Sequence, residues 1–323
     1  MAFPVRLALP ARLSCPARLY KRLCDVALAA LVVIVVTGGG VRLTRSGLGC
    51  TDWPTCTNDR LVPQWEFHGM VEFVNRVFTG VVSFAVIAAV AGALVRQPRR
   101  RGLIWLALGL VAGVVAQILL GAAVVLGALD PRLTMGHFLL SMVLVANAVV
   151  LRHRADGRFD DEADGRFDDE AATTVQPRRL TGHRLANGLV ALAAMVLVAG
   201  TIVTATGPHG GDDRAARLSF DLPTVARLHS SSVWLLLATL LASLVVATRR
   251  GDRLYRRGLQ RMGAVALLQG GVGYLAYFSG ARPAIVALHL LGATLLWVAA
   301  IDARLKLGLE PRRTVGATAP VRS

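Results

Sequence analysis

Apolar residues run in stretches of about 20, each long enough to cross a hydrocarbon layer roughly 30 Å thick. Eight such stretches cover about 24–44, 71–95, 103–127, 134–151, 185–206, 223–248, 259–279 and 283–302. Backbone N–H and C=O groups in lipid need partners within their own segment, so the stretches predict helices. Barrel strands would alternate apolar and polar positions over about ten residues, and no such segment occurs. The expected fold is an all-α integral membrane protein: eight transmembrane helices arranged as two pseudo-symmetric four-helix bundles.

The spacing divides the chain into a tail (1–23), a four-helix half (24–151), a linker (152–184), a second four-helix half (185–302) and a second tail (303–323). The linker holds ADGRFDDE twice in tandem, 155–162 and 163–170. Its acidic, Gly-containing composition buries no apolar surface, so it reads as a duplicated, disordered spacer.

The formal charge of +16 invites a nucleic-acid reading, but the placement of the charges opposes it. Of 36 Lys and Arg, 27 fall in 1–23, 96–101, 152–184, 249–261 and 304–322, in alternate connections only. That is a membrane topology signal, with both termini cytoplasmic. The predicted location is a bacterial cell membrane, with the bilayer and not nucleic acid as the surroundings. The first apolar run lacks a small-residue cleavage site and reads as a helix, not a removable leader. Cys15 and Cys24 fall on the cytoplasmic side and should stay reduced. Cys50 and Cys56 fall in the first external loop, which favours a disulfide over two free thiols or a metal pair. Trp53 and Trp65 read as interface anchors.

A few polar residues interrupt the apolar runs. Asn75, His137, His229 and His289 each fall shortly after the external start of an even-numbered helix, so they share one depth. The halves repeat: GVRLTRSG (40–47) matches GTIVTATG (200–207), and Asn75 aligns with His229 and His137 with His289, with 62 residues from Asn75 to His137 and 60 from His229 to His289. Intramembrane ionisable groups are costly and usually mark function. Two imidazoles on facing helices suit a low-spin haem iron, and His229 with His289 supply them. Zinc would want further ligands that are missing. In the first half His137 faces Asn75, and a carboxamide is a weak iron ligand. Glu72 lies one turn before Asn75, with Arg76 at i+4. A carboxylate beside a loosely held porphyrin suggests chemistry on the porphyrin; the plainer alternative is a Glu72–Arg76 ion pair anchoring the helix end. Gln117 and Gln269 read as interhelical hydrogen bonders without a chemical role.

GGGVRLTRSGLGCTDWPTC, EFVNR, GHFLLSM, GPHGGD (207–212), the His229 segment and ALHLLGATLLW occur in this order. In that order and spacing the chain resembles the haem A synthase family. The resemblance implies an oxidoreductase that converts haem O to haem A for cytochrome oxidase, by successive hydroxylations of the C8 methyl with oxygen from water. It implies a haem b cofactor on His229 and His289, and substrate haem O in the first half with His137, Asn75 and the catalytic carboxylate Glu72. Arg42, Arg227 and His209 become candidate propionate contacts, and the Cys50–Cys56 bridge would brace the loop over the substrate. Expected partners are haem O, an electron acceptor of unknown identity, haem O synthase, and other copies of the chain as a homo-oligomer. Many family members have His at the Asn75 position, which leaves the second ligand of the substrate haem open; His68 lies nearer the loop. The competing readings are a non-catalytic two-haem cytochrome b and a transporter.

Overall fold

The computed structural model describes residues 14–156 and 177–307. Most of the tandem repeat and both tails lie outside them. Among the described residues the protein has eight helices and no strand. In chain order they are α1 (Ala17–Leu43), α2 (Phe67–Val95), α3 (Arg101–Leu126), α4 (Pro131–Ala155), α5 (Pro177–Thr206), α6 (Leu222–Arg250), α7 (Arg253–Phe278) and α8 (Pro283–Lys306).

The helix starts follow from local chemistry. Asp130 caps α4 by accepting the N–H groups of Arg132 (2.8 Å) and Leu133 (3.4 Å), with Pro131 at the first position. Asp221 caps α6, accepting from Thr224 N at 3.0 Å and its hydroxyl at 2.6 Å. Gly251 ends α6 at φ 72°, a left-handed conformation that lets the chain turn at once into α7.

Among the described residues seven helices are long and apolar enough to cross a bilayer; α7 is not among them. All eight expected helices are present, and α7, at 26 residues, falls short in composition and not in length. α7 spends Arg253, Arg256, Arg257 and Arg261 on its first turns, and Gln269, Gly270, Gly271 and Gly273 dilute the rest. The other helices also run beyond the expected apolar stretches, because their polar ends continue the same hydrogen-bond ladder. Large apolar side chains face outward all round, among them Phe84 (75% exposed), Leu268 (73%) and Phe278 (78%). Water would not tolerate such a surface, and the chain is a multi-span membrane protein.

α1 packs on α2 and α4, and α3 fills the fourth side between α2 and α4. α5, α6, α7 and α8 pack in the same cyclic order. The two groups meet where α8 lies against α1 and α4, and where α4 touches α5. Trp297 of α8 crosses this seam, donating its indole N–H to Met142 O at 2.8 Å. Where α1 begins and α4 ends, Asp25 joins Lys21 (2.8 Å) and Arg152 (2.5 Å), tying the two helices together. At the opposite end three connections are laced together. Gly47 N donates to Gly211 O (2.9 Å), Arg42 Nη2 to His209 O (3.0 Å), and His209 Nε2–H to Ala281 O (2.6 Å).

Candidate functional site

The four singled-out positions share a stratum. Asn75 stands eight residues after the start of α2, and His137, His229 and His289 stand six, seven and six after the starts of α4, α6 and α8. At about 1.5 Å per residue these are depths of roughly 9–12 Å from the loop end.

His229 and His289 face each other, with ring centres 6.4 Å apart and planes at 77°. Two imidazoles on opposite faces of one iron stand with ring centres roughly 6 Å apart, from about 2 Å per metal–nitrogen bond and about 1 Å from nitrogen to ring centre. Each ring is held through Nδ1: His229 by Val196 O at 3.1 Å, His289 by the Gln269 amide nitrogen at 2.9 Å. That leaves Nε2 of each ring as the nitrogen available to a metal. Glycines make room behind the rings. A Cβ at Gly200 would lie 3.2 Å from His229 Cε1, and one at Gly273 would lie 2.8 Å from His289 Cε1. The Gln269 carbonyl oxygen is buried with no partner among the described residues. Ring spacing, glycine cradle and orphaned oxygen together fit a haem iron between the two histidines.

The first half is built differently. A Cβ at Gly121 would lie 3.3 Å from His137 Nε2, the same kind of cradle. The His137 carbonyl accepts from Gln117 Nε2 and Ser141 Oγ, both at 3.0 Å. Asn75, however, is tied to α1: its Oδ1 accepts the Thr37 hydroxyl at 2.9 Å. Beside it a groove of about 500 Å³ opens between α1 and α2, lined by Thr37, Val41, Met70, Val74, Asn75 and Phe78 among others. Its walls are almost wholly apolar, suited to a lipophilic occupant.

Glu72 is 5% exposed and fully engaged. Its Oε2 accepts Cys50 N–H at 2.8 Å, and its Oε1 meets Arg76 Nη2 at 2.5 Å and Nε at 3.2 Å. Arg76 also donates to Asp52 O (2.9 Å), Thr55 O (3.1 Å) and Cys50 O (3.4 Å). Cys50 and Cys56 form a disulfide, so the pair clasps a cross-linked loop onto α2. The helix-end ion pair considered from sequence is present, and it reaches further than the helix.

A model of the COX15-CtaA family, described as cytochrome oxidase assembly protein, matches residues 21–208, more than half of the chain. The chain belongs to this family. Similar relatives include the heme A synthases of Geobacillus kaustophilus (36% identical over 108 residues, 32% of this chain and 33% of the relative) and Listeria monocytogenes (31% over 141 residues, 41% and 46%). That of Exiguobacterium sibiricum is 29% identical over 122 residues, 38% of this chain and 41% of the relative. The chain thus spans less than half the length of these relatives. The COX15-CtaA match takes in Glu72, Asn75 and His137 but ends before His229 and His289, so the second pair stands on its geometry.

Arg42 and His209 lie within the loop-end lacing, each holding a backbone carbonyl. Arg227 is exposed near the start of α6. His68 Nδ1 pairs with Ser46 Oγ at 3.0 Å, in the loop region. Thr37, the partner of Asn75, was missed from sequence, because the contact spans 38 residues and a lone Thr in TGGG carries no signal. The glycine cradles were missed too, although a signal exists: Gln-x3-Gly-x15-His occurs at 117–137 and again at 269–289.

Proposed function

We propose that the chain is a haem A synthase: it oxidises the C8 methyl of haem O to a formyl group through successive hydroxylations, water supplying the oxygen and an acceptor taking the electrons. The single observation that carries this is the paired His229 and His289, at iron-bridging spacing in a family whose relatives bear that name. A haem b bound there would supply one-electron redox chemistry. Val196 O and Gln269 orient the two rings from behind. In the first half His137 receives the iron of haem O, and the apolar groove by Asn75 receives an apolar edge of the substrate. Asn75, whose oxygen is committed to Thr37, would be at most a weak ligand to that haem.

Glu72 is the carboxylate nearest in sequence to this site, three residues before Asn75. As catalytic group it takes a proton at Oε1, and Arg76 then falls back on the carbonyls of Asp52 and Thr55. The occupation of both its oxygens favours a second reading of this one residue, a brace for the disulfide loop. Further parts of the proposal are an eight-crossing topology with both termini cytoplasmic, two pseudo-symmetric halves, and Arg42, Arg227 and His209 near the propionates. The helical repeat and the basic connections support them.

The test is to express the chain with haem O synthase, extract the haems and weigh them. Haem A should appear. A folded, haem-loaded protein that leaves haem O unchanged would be a two-haem cytochrome instead.

A further inference from the structure

We infer that Gln269 is a positioning residue for the iron ligand His289: when iron occupies Nε2, the Gln269 amide turns so that its oxygen accepts the Nδ1–H. The inference rests on the haem-holding role proposed above for His229 and His289.

The geometry begins with an imbalance. The Gln269 Nε2 serves two acceptors on one residue, His289 O at 2.7 Å and His289 Nδ1 at 2.9 Å. Its carbonyl oxygen meanwhile is buried and has no partner among the described residues. A buried acceptor left unpaired costs about 1–3 kcal/mol, so a membrane helix has little reason to carry one at rest. The oxygen sits against Gly292, one turn beyond His289 on α8, in space that any side chain there would fill.

Metal ligation reverses the needs of the ring. A neutral imidazole that gives Nε2 to a metal carries its hydrogen on Nδ1, and that hydrogen requires an acceptor. An amide nitrogen cannot accept it. A small rotation of the amide answers both demands: the nitrogen stays on His289 O and the oxygen moves onto Nδ1–H. His229 needs no such adjustment, because Val196 O already stands at its Nδ1 as an acceptor.

A second observation points the same way. Gln117 donates to His137 O as Gln269 does to His289 O, 20 residues before it, and its amide nitrogen also reaches Ser141 Oγ at 2.6 Å where that of Gln269 reaches the ring. The Gln117 carbonyl oxygen is likewise buried without a partner among the described residues. One glutamine with a spare oxygen is a packing accident; two, each behind a candidate iron ligand and each followed four residues later by the glycine that cradles the ring, form a pattern.

An acceptor on Nδ1–H makes the imidazole a stronger donor, which favours ferric over ferrous iron. The test uses the full-length, haem-loaded protein and follows the midpoint potential of its low-spin haem. Gln269→Leu removes the acceptor and should raise the potential; Gln269→Glu strengthens it and should lower the potential; both should keep the two-imidazole spectrum. Shifts in opposite directions are not expected of a packing residue. Unmoved potentials, or shifts of the same sign, overturn the inference. Loss of haem from Gln269→Glu, which keeps an acceptor at the same reach, overturns it equally. Failure of the parent reading looks different: the low-spin spectrum would then survive His229→Ala and His289→Ala.

Discussion

Replacing Glu72 by Gln removes one negative charge and changes the side-chain shape very little. The wild-type carboxylate offers two oxygens to two donors, the buried Cys50 N–H at 2.8 Å and the half-buried Arg76 at 2.5 Å. Gln offers one oxygen and brings an NH2 group, so one of the two donors must lose its acceptor. A buried donor left unpaired costs about 1–3 kcal/mol, with more when the lost bond was charge-assisted. Arg76 keeps three loop carbonyls, which holds the estimate near the middle, about 2 kcal/mol. The loss is local, between α2 and the loop 44–66, so it raises the open fraction of that loop roughly 30-fold. Arg60 is exposed in this loop and offers a tryptic site. The assay is limited trypsin digestion of the detergent-solubilised protein, with the Arg60–Leu61 cut followed by mass. Cleavage should rise roughly 30-fold, as expected when reclosing outpaces cutting. An unchanged rate would refute the clasp. Haem extraction from the same variant separates the two roles of Glu72: haem retained with conversion lost marks the catalytic carboxylate, and conversion kept marks the brace.

His289→Ala should abolish the low-spin b-type spectrum; its persistence would mean the iron ligands lie elsewhere. Gly273→Ala puts a Cβ 2.8 Å from His289 Cε1 and should lower haem occupancy, whereas Gly271→Ala meets nothing within 4 Å and should load normally; equal loading measured by pyridine haemochrome would discard the cradle. Asn75→His should shift the optical spectrum of the first-half haem toward two-imidazole ligation, and an identical spectrum would place Asn75 away from the iron. The Asp221 carboxyl is held below its usual range by the Thr224 hydroxyl and N–H groups. A depressed folded pKa stabilises above the unfolded value of about 3.9 and is lost as pH falls through the lower folded value. Asp221→Ala should therefore lower the thermal midpoint at neutral pH, and the gap to wild type should close on acidification; a gap that stays constant with pH would dismiss this cap.

The sequence alone determined the helices and their membrane setting, because hydrocarbon leaves the backbone no alternative and a run of about 20 apolar residues sets its own length. It also marked Asn75, His137, His229 and His289, since a polar group among apolar neighbours stands out in one dimension. α7 shows where that signal weakens: glycines and a glutamine that serve the neighbouring histidine lower its hydropathy below that of a clear span. Which side chains complete one another emerges only once the helices are packed. Thr37 reaches Asn75 across 38 residues, the amide nitrogen of Gln269 and the oxygen of Val196 reach the rings of His289 and His229, and Arg76 gathers a loop more than 20 residues upstream. Such pairs depend on how neighbouring helices are rotated and set in depth. Packing between the helices fixes both, and the periodicity of one helix carries no record of its neighbour.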